Sequence, residues 1–234
     1  IRYFKEETED DEGFSQKIAS LGDVYINDAF SCSHRKQASV HNITKYIKKN
    51  YAGPLLKKEI TAINLVIKNK KEPVSCIIGG SKISTKINVI TSLLEKVNNV
   101  IIVGAMANNF FTYKNLKVGK SLVEKDSKKI IETIYKKAKE NNCKILIPED
   151  CMVGINFEGK GKNKSLDDIQ DDEIILDIGD NTIKNICEMI DQSNTVLWNG
   201  PAGYFENDIF AKGTLSIAEK ISKNTLEKSL ISVL

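Results

Sequence analysis

"VSCIIGGSKISTKINVI", residues 74–90, decides how this chain is read. Five residues, four of them apolar, form a short solid run that suits a strand buried on both faces. Two glycines follow, and then "INVITSLLEKV" places apolar residues at helical spacing. The stretch is therefore a strand–turn–helix unit. Gly79 and Gly80 allow a tight turn and a close approach by another group, because neither has a Cβ. A helix starting near Ser81 would aim free amide groups and its positive dipole end at that turn. Lys82 and Lys86, four apart, would then share a helix face and reach one bound anion. The competing reading is two solvated lysines on an exposed helix. The stretch is neither GxxxxGK[ST] nor GxGxxG, so spacing alone leaves both open.

Outward from this unit the pattern repeats. Strands are expected at "NVIIVGA", "KILIP", "IILDIG", "TVLWNG" and "SLISVL", alternating with helices from "MANNFFTY" and through "SKKIIETIYKKAKEN", "NTIKNICEMIDQS" and "AKGTLSIAEKIS". Upstream, "FSQKIASLG" predicts a helix stopped by Gly22, and "DVYINDAF" a strand. "YAGPLLKKEITAINLVIKNKK" predicts a long helix with Leu55, Leu56, Ile60, Ile63 and Val66 on one face, and composition shifts here, so a domain boundary falls within or just before it. "FEGKGKNKSLDDIQDDE" lacks a period and reads as an exposed loop. Strands alternating with amphipathic helices imply a parallel sheet covered on both faces, which binds ligands at the carboxyl ends of its strands. The glycine-bearing turns at Gly79 and Gly80, Gly104, Gly179 and "NGPAG" (199–203) are expected to converge along that edge.

Two further stretches bear on chemistry. "VLWNGPAGYFE" gathers the sole tryptophan, a turn, two more aromatics and a carboxylate. Trp198, Tyr204 and Phe205 can be core, or the segment can be a lip for a flat ring, with Glu206 accepting hydrogen bonds from sugar hydroxyls. "INDAFSCSHR" puts His34 and Arg35 beyond a strand end, as ordinary surface or as a fork for a carboxylate or phosphate.

Bulk properties exclude more than they assign. The 234 residues are 41% hydrophobic and 28% charged, with a net charge of +3, too slight for a dedicated nucleic-acid binder. No apolar run suits a membrane span and no secretory leader opens the chain, so a cytoplasmic protein is expected. Five scattered cysteines without a CxxC pair fit reduced thiols rather than zinc or a disulfide frame. A nicotinamide-dependent dehydrogenase would need GxGxxG after the first strand with an acid about twenty residues on, and neither is present.

Taken together and in order, "DVYINDAFSCSHR", "YAGPLLKKE", "IIGGSKISTKINVI", "VGAMANNFF", "VGKSL", "VLWNGPAGYFE" and "FAKGT" resemble phosphoglycerate kinases over essentially the whole chain. The resemblance implies an α/β fold of two Rossmann-like parallel-sheet domains joined by a hinge helix, the first domain incomplete. Residues 1–52 would be the latter part of the phosphoglycerate-binding domain, 53–71 the interdomain hinge helix, and 72–234 a nucleotide-binding domain truncated at its end. It implies phosphoryl transfer between 1,3-bisphosphoglycerate and MgADP, giving 3-phosphoglycerate and MgATP, in a cytoplasmic monomer of glycolysis that binds neither nucleic acid nor membrane.

Position by position, Lys82 and Lys86 resemble the pair facing the nucleotide phosphates and the moving phosphoryl group. Arg2 and Arg35, with His34 beside the latter, would hold the phosphoglycerate. Gly80, Gly104, Leu122 and Leu176 would line the adenine pocket, Gly79 and Ala105 would also bind the nucleotide, Asn199, Pro201 and Tyr204 would border it, and Glu206 would bind ribose. The chain departs from the family in reading "VGAMA" for GGGMA, so Val103 and Ala105 replace glycines, and in having Gln37 for a histidine. The family's first strands and its GGGDT loop, with the magnesium-binding aspartate, would lie outside these residues. The chain is thus expected to be a fragment without turnover of its own; a truncated remnant keeping part of a nucleotide pocket is the alternative.

Overall fold

The computed structural model describes the backbone of residues 1–68 and 70–233, and the side chains of these apart from residues 65–68. The expected placement of Val66 and the last residue of the "SLISVL" strand lie outside the described residues. The chain divides into two compact units, Ile1–Lys68 and 69–234. The helix read as a hinge belongs to the first.

That first unit comprises α1 (Lys5–Thr8), α2 (Glu12–Ala19), β1 (Val24–Asn27), α3 (Ile43–Tyr46), β2 (Lys49–Ala52) and α4 (Pro54–Lys68). Strands β1 and β2 pair in parallel. Strand β2, "KNYA", has no apolar run to announce it and is recognised only by its pairing. Helix α4 accordingly starts later than the sequence suggests, with Pro54 where a proline costs least, at the first helical position. Burial along its apolar face is uneven, with Ile60 as well as Leu55 exposed. Asp28 accepts from the Leu56 amide at 2.8 Å and fixes the first turn, so Leu56 is buried while Leu55 turns away to solvent.

The second unit is built on the parallel sheet that alternation predicts. It contains β3 (Val74–Ile78), α5 (Ile87–Leu94), β4 (Asn99–Ile102), α6 (Ala107–Tyr113), α7 (Lys128–Glu140), β5 (Lys144–Leu146), β6 (Asp150–Gly154), β7 (Lys162–Ser165), β8 (Ile174–Ile178), α8 (Asp180–Asp191), β9 (Thr195–Asn199), α9 (Lys212–Glu227) and β10 (Ile231–Val233). The main sheet runs β10-β9-β3-β4-β5, all parallel. Successive strand residues face opposite sides. Cys76, Ile78, Val100 and Ile102 therefore pack with Ile90, Leu94, Phe110, Ile131 and Ile134 in one core. Ile77, Ile101, Val103 and Val196 pack with Ile186, Ile190, Ile217 and Ile221 in the other. Covered on both faces, β3 is buried along its whole length.

Three strands lie apart. β7, β6 and β8 form an antiparallel sheet, so "IILDIG" is not a strand of the parallel sheet, and the "FEGKGKNKS" segment is not merely loop. Leu166 and Ile169, from the stretch read as exposed, close over the first core.

Candidate functional site

The turns after β3, β4 and β9 are knitted together at the carboxyl edge of the main sheet. Gly79 donates to the Asn199 carbonyl at 2.8 Å, Gly104 to Ala202 at 3.0 Å, and Met106 to Gly80 at 2.9 Å. Gly104 has φ of +70°, and a Cβ there would lie 2.8 Å from the Gly80 nitrogen, so the packing itself demands glycine. Gly79 lies beneath the carbonyls of Gly200 and Pro201. It is a packing residue and does not border the cavity.

Beside these turns is a mainly apolar cavity of about 590 Å³. Of the residues singled out in the sequence, Gly80, Gly104, Ala105, Leu122, Leu176, Pro201, Tyr204 and Glu206 line it. Lys82, Lys86 and Asn199 flank the turns without lining it. Val103, the other departure from the family pattern, points into the second core instead. Gly179 does not join this edge, because β8 belongs to the antiparallel sheet.

The lysines are not arranged as a helix face. Helix α5 begins only at Ile87, with Lys86 as its N-cap residue, so Lys82 stands on the preceding loop. The amides of Ile83 and Ser84, together with the Ser84 hydroxyl, are already taken by the Glu124 carboxylate. Among the described residues the backbone N–H groups of Gly80, Ser81 and Lys82 make no hydrogen bond. Ser81 and Lys82 are exposed and Gly80 is half-buried, so these three amides are open to solvent or to an anion. The half-buried Lys86 ammonium donates to the Gly79 carbonyl and to Asn199 Oδ1, each at 2.7 Å, leaving its third proton for a ligand. Desolvation holds its pKa below the usual lysine value.

Several cavity residues were not singled out in the sequence, although Asn108 and Phe111 lie within "VGAMANNFF". Asn108, Phe111, Cys151, Phe157 and Asp177 all line it. Phe157 meets Tyr204 edge-on, ring centroids 5.2 Å apart, forming the aromatic lip that "VLWNGPAGYFE" suggested with a partner it did not. Tyr204 and Phe205 are exposed rather than core, whereas half-buried Trp198 packs on the second core, with its indole N–H on the Gly200 carbonyl. Burial pushes the Asp177 carboxyl up to about 6, against hydrogen bonds from Gly213 and Ile178. In the other unit, Arg2 and His34 are exposed and Arg35 is half-buried, and among the described residues none of their side chains makes a hydrogen bond or ion pair. No three His, Cys, Asp or Glu side chains come together there as a metal cage, and no helix is long and apolar enough to cross a membrane, again among the described residues.

The family described as phosphoglycerate kinase matches residues 1–234. The chain belongs to the phosphoglycerate kinase family. The phosphoglycerate kinase of Wolbachia pipientis wMel is 41% identical over 235 residues, 100% of this chain and 59% of that relative. Phosphoglycerate kinase 1, chloroplastic, of Arabidopsis thaliana is 40% identical over 236 residues, covering 100% of this chain and 49% of its own length. The solved phosphoglycerate kinase of Coxiella burnetii superposes with a TM-score of 0.81 at 35% identity, over 95% of this chain and 58% of that one. The chain thus spans about half to three-fifths of the length of the relatives it matches.

Proposed function

We propose that the second unit binds an adenine nucleotide in the 590 Å³ cavity, as the nucleotide half of a phosphoglycerate kinase that exchanges a phosphoryl group between 1,3-bisphosphoglycerate and ADP. The observation that carries the reading is the row of free amides at Gly80–Lys82, flanked by Lys82 and Lys86 and opening beside an apolar slot. Leu122, Leu176 and Ala105 would sandwich the base, Tyr204 and Phe157 would close its lip, and Glu206 would accept from the ribose hydroxyls. The cavity is of ordinary size for such a ligand, since small-molecule sites span about 300–1,000 Å³.

Phosphoryl transfer asks a protein mainly to hold two reactants in line and to stabilise charge on the equatorial oxygens. Fixed amides and ammonium groups do this without reorganising during the reaction. Asn199 and Gly79 aim Lys86, and the Gly80–Lys82 amides receive the phosphate chain. Magnesium enters as part of the nucleotide substrate, supplying charge neutralisation on its phosphates. Arg2, Arg35 and His34 would take the phosphoglycerate, and α4 would serve as the hinge between the units, in a cytoplasmic monomer.

The test is a titration with MgADP read by the fluorescence of Trp198, whose indole is tied to the turn beside Lys86. A saturable change, weakened in Lys86→Ala, is expected. A chain that melts cooperatively yet shows no change by fluorescence or calorimetry overturns the reading.

A further inference from the structure

The loop from Gly80 to Ser84 is held at both ends by one closed hydrogen-bonded circuit. At its start the Gly80 carbonyl accepts from the Met106 amide at 2.9 Å. The Met106 carbonyl accepts from Asn109 Nδ2 at 3.1 Å, and Asn109 Oδ1 accepts from the Glu124 amide at 2.8 Å. The Glu124 carboxylate completes the circuit by accepting from the amides of Ile83 and Ser84 and from the Ser84 hydroxyl. Asn109 is wholly buried, so its end of the circuit is sheltered from water, while the Glu124–Ser84 bonds lie at the surface. Its neighbour Asn108, also wholly buried, donates to the Leu122 carbonyl at 3.1 Å and anchors the same segment two residues before Glu124.

What lies between the two anchors is the stretch whose amides are free. With Gly80 fixed through its carbonyl and Ile83 and Ser84 through their nitrogens, the N–H groups of Gly80, Ser81 and Lys82 cannot fold back into a helical turn. Burial opposes ionisation of Glu124, but the hydrogen bonds from Ser84 and Ile83, helped by the nearby Lys82 charge, outweigh it and hold its pKa below the usual carboxylate value.

We propose that Glu124 is a positioning residue for the nucleotide diphosphate: its carboxylate clips Ile83 and Ser84 so that the Gly80–Lys82 amides and the Lys82 ammonium stand ready for phosphate. The proposal rests on the nucleotide reading of the cavity. An anionic side chain beside a phosphate site would ordinarily repel the ligand. Here its charge is spent on the three donors and screened by Lys82, so the clip favours binding.

The test compares ADP with adenosine by calorimetry on the whole chain. Glu124→Gln keeps the size of the side chain and removes its charge. It should weaken ADP about tenfold, the scale of one charge-assisted hydrogen bond lost, and leave adenosine unchanged. Amide exchange at Ile83 and Ser84 should quicken in the variant while the cooperative melt is kept. Ser84→Ala, which deletes only the hydroxyl bond, should show a smaller loss of about two- to threefold for ADP alone, and serves if the Gln variant does not fold. Equal loss for both ligands would make Glu124 a general structural residue. Unchanged or tighter ADP binding would make it a bystander or a repelling charge, and either result overturns the proposal. Failure of the unsubstituted chain to bind ADP ends the nucleotide reading itself and this inference with it; binding without the ADP–adenosine difference ends this inference only.

Discussion

The turns after β3 and after β8 look alike in sequence, each a short apolar strand, glycine and then a helix, yet only one leaves a run of its amides unpaired among the described residues. After β8, α8 begins at once, and the Asn181 and Thr182 amides donate to Asp150 at 2.9 and 2.8 Å, with the Thr182 hydroxyl adding a third bond at 2.6 Å. After β3 the chain runs on to Ile87 before its helix, and Glu124 takes Ile83 and Ser84 but leaves Gly80, Ser81 and Lys82 free. Gly80 needs its glycine for a φ of +116°, whereas Gly179, at φ of −85°, needs one because a Cβ would fall 2.3 Å from the Asp150 carboxyl carbon. A strand-end glycine marks a close approach. Whether that approach is by a ligand or by the protein's own carboxylate depends on a residue distant in sequence.

The sharpest way to break the comparison is to empty the closed turn. Asp150→Ala leaves the buried Thr182 amide and hydroxyl unpaired, at about 1–3 kcal/mol each, while water can replace the bond to exposed Asn181, so a loss of about 3 kcal/mol in a urea melt is expected. Affinity of the folded fraction for ADP should not change. An Asp150→Ala variant of undiminished stability would show that the α8 start does not depend on its internal anion.

Asp177 sharpens the contrast from the other side, as a cavity carboxyl whose burial raises its pKa to about 6. Above its unfolded value, near 3.9, the folded protein binds more protons than the unfolded chain. Its contribution to stability is therefore complete below about pH 4 and is lost as pH rises through about 6. Relative to Asp177→Asn, which cannot titrate, the wild type should lose on the order of 3 kcal/mol at most across that window. A stability difference between the two that does not vary with pH would contradict it. For Asp150 the sign is opposite: burial opposes its ionisation, but hydrogen bonds from Thr182 and Asn181 hold its pKa low, and its contribution is lost only in acid.

How much of this was legible follows from what each segment presents. β3 announces itself because a strand buried on both faces must be apolar throughout, and its two alternating residue sets sorted cleanly into two cores. β7, "KNKS", is charged and polar and exists through its backbone pairing with β6, so no pattern of side chains could reveal it. The same limit hid part of the site. Residues on strand-end turns, such as Gly104 and Pro201, were readable, while Phe157 and Cys151 reach the cavity only through tertiary approach. Glu124 had no signal at all, being forty residues from the amides it caps. Lys82 and Lys86 both stand ahead of α5, on the loop after β3 and at the helix cap, so the helix face expected to join them does not exist.

Lys86 bridges the turns after β3 and β9, and its removal tests the open turn directly. Lys86→Ala deletes the charge and two hydrogen bonds, to Gly79 and Asn199. A hydrogen bond to a charged group is worth about 1.5–3 kcal/mol, so ADP should bind about 10- to 100-fold more weakly, with adenosine little affected. An equal loss for adenosine would mean that Lys86 braces the turn rather than meeting phosphate.

The smallest effect concerns a carboxylate that nothing has claimed. Asp150 and Glu124 are spent on backbone amides, whereas Glu206, exposed at the cavity rim, makes no hydrogen bond or ion pair among the described residues. Its lone pairs are free for hydroxyl donors, but water competes for them, so each bond should contribute only about 0.5–1.5 kcal/mol. Glu206→Gln should therefore weaken ADP about two- to tenfold and leave 2′,3′-dideoxy-ADP unaffected, because the donors it would pair with are gone. The two substitutions, in protein and in ligand, form a cycle whose coupling isolates that contact. A coupling of zero would place the ribose elsewhere along the rim and leave the amides of Gly80–Lys82 as the polar anchor of the ligand.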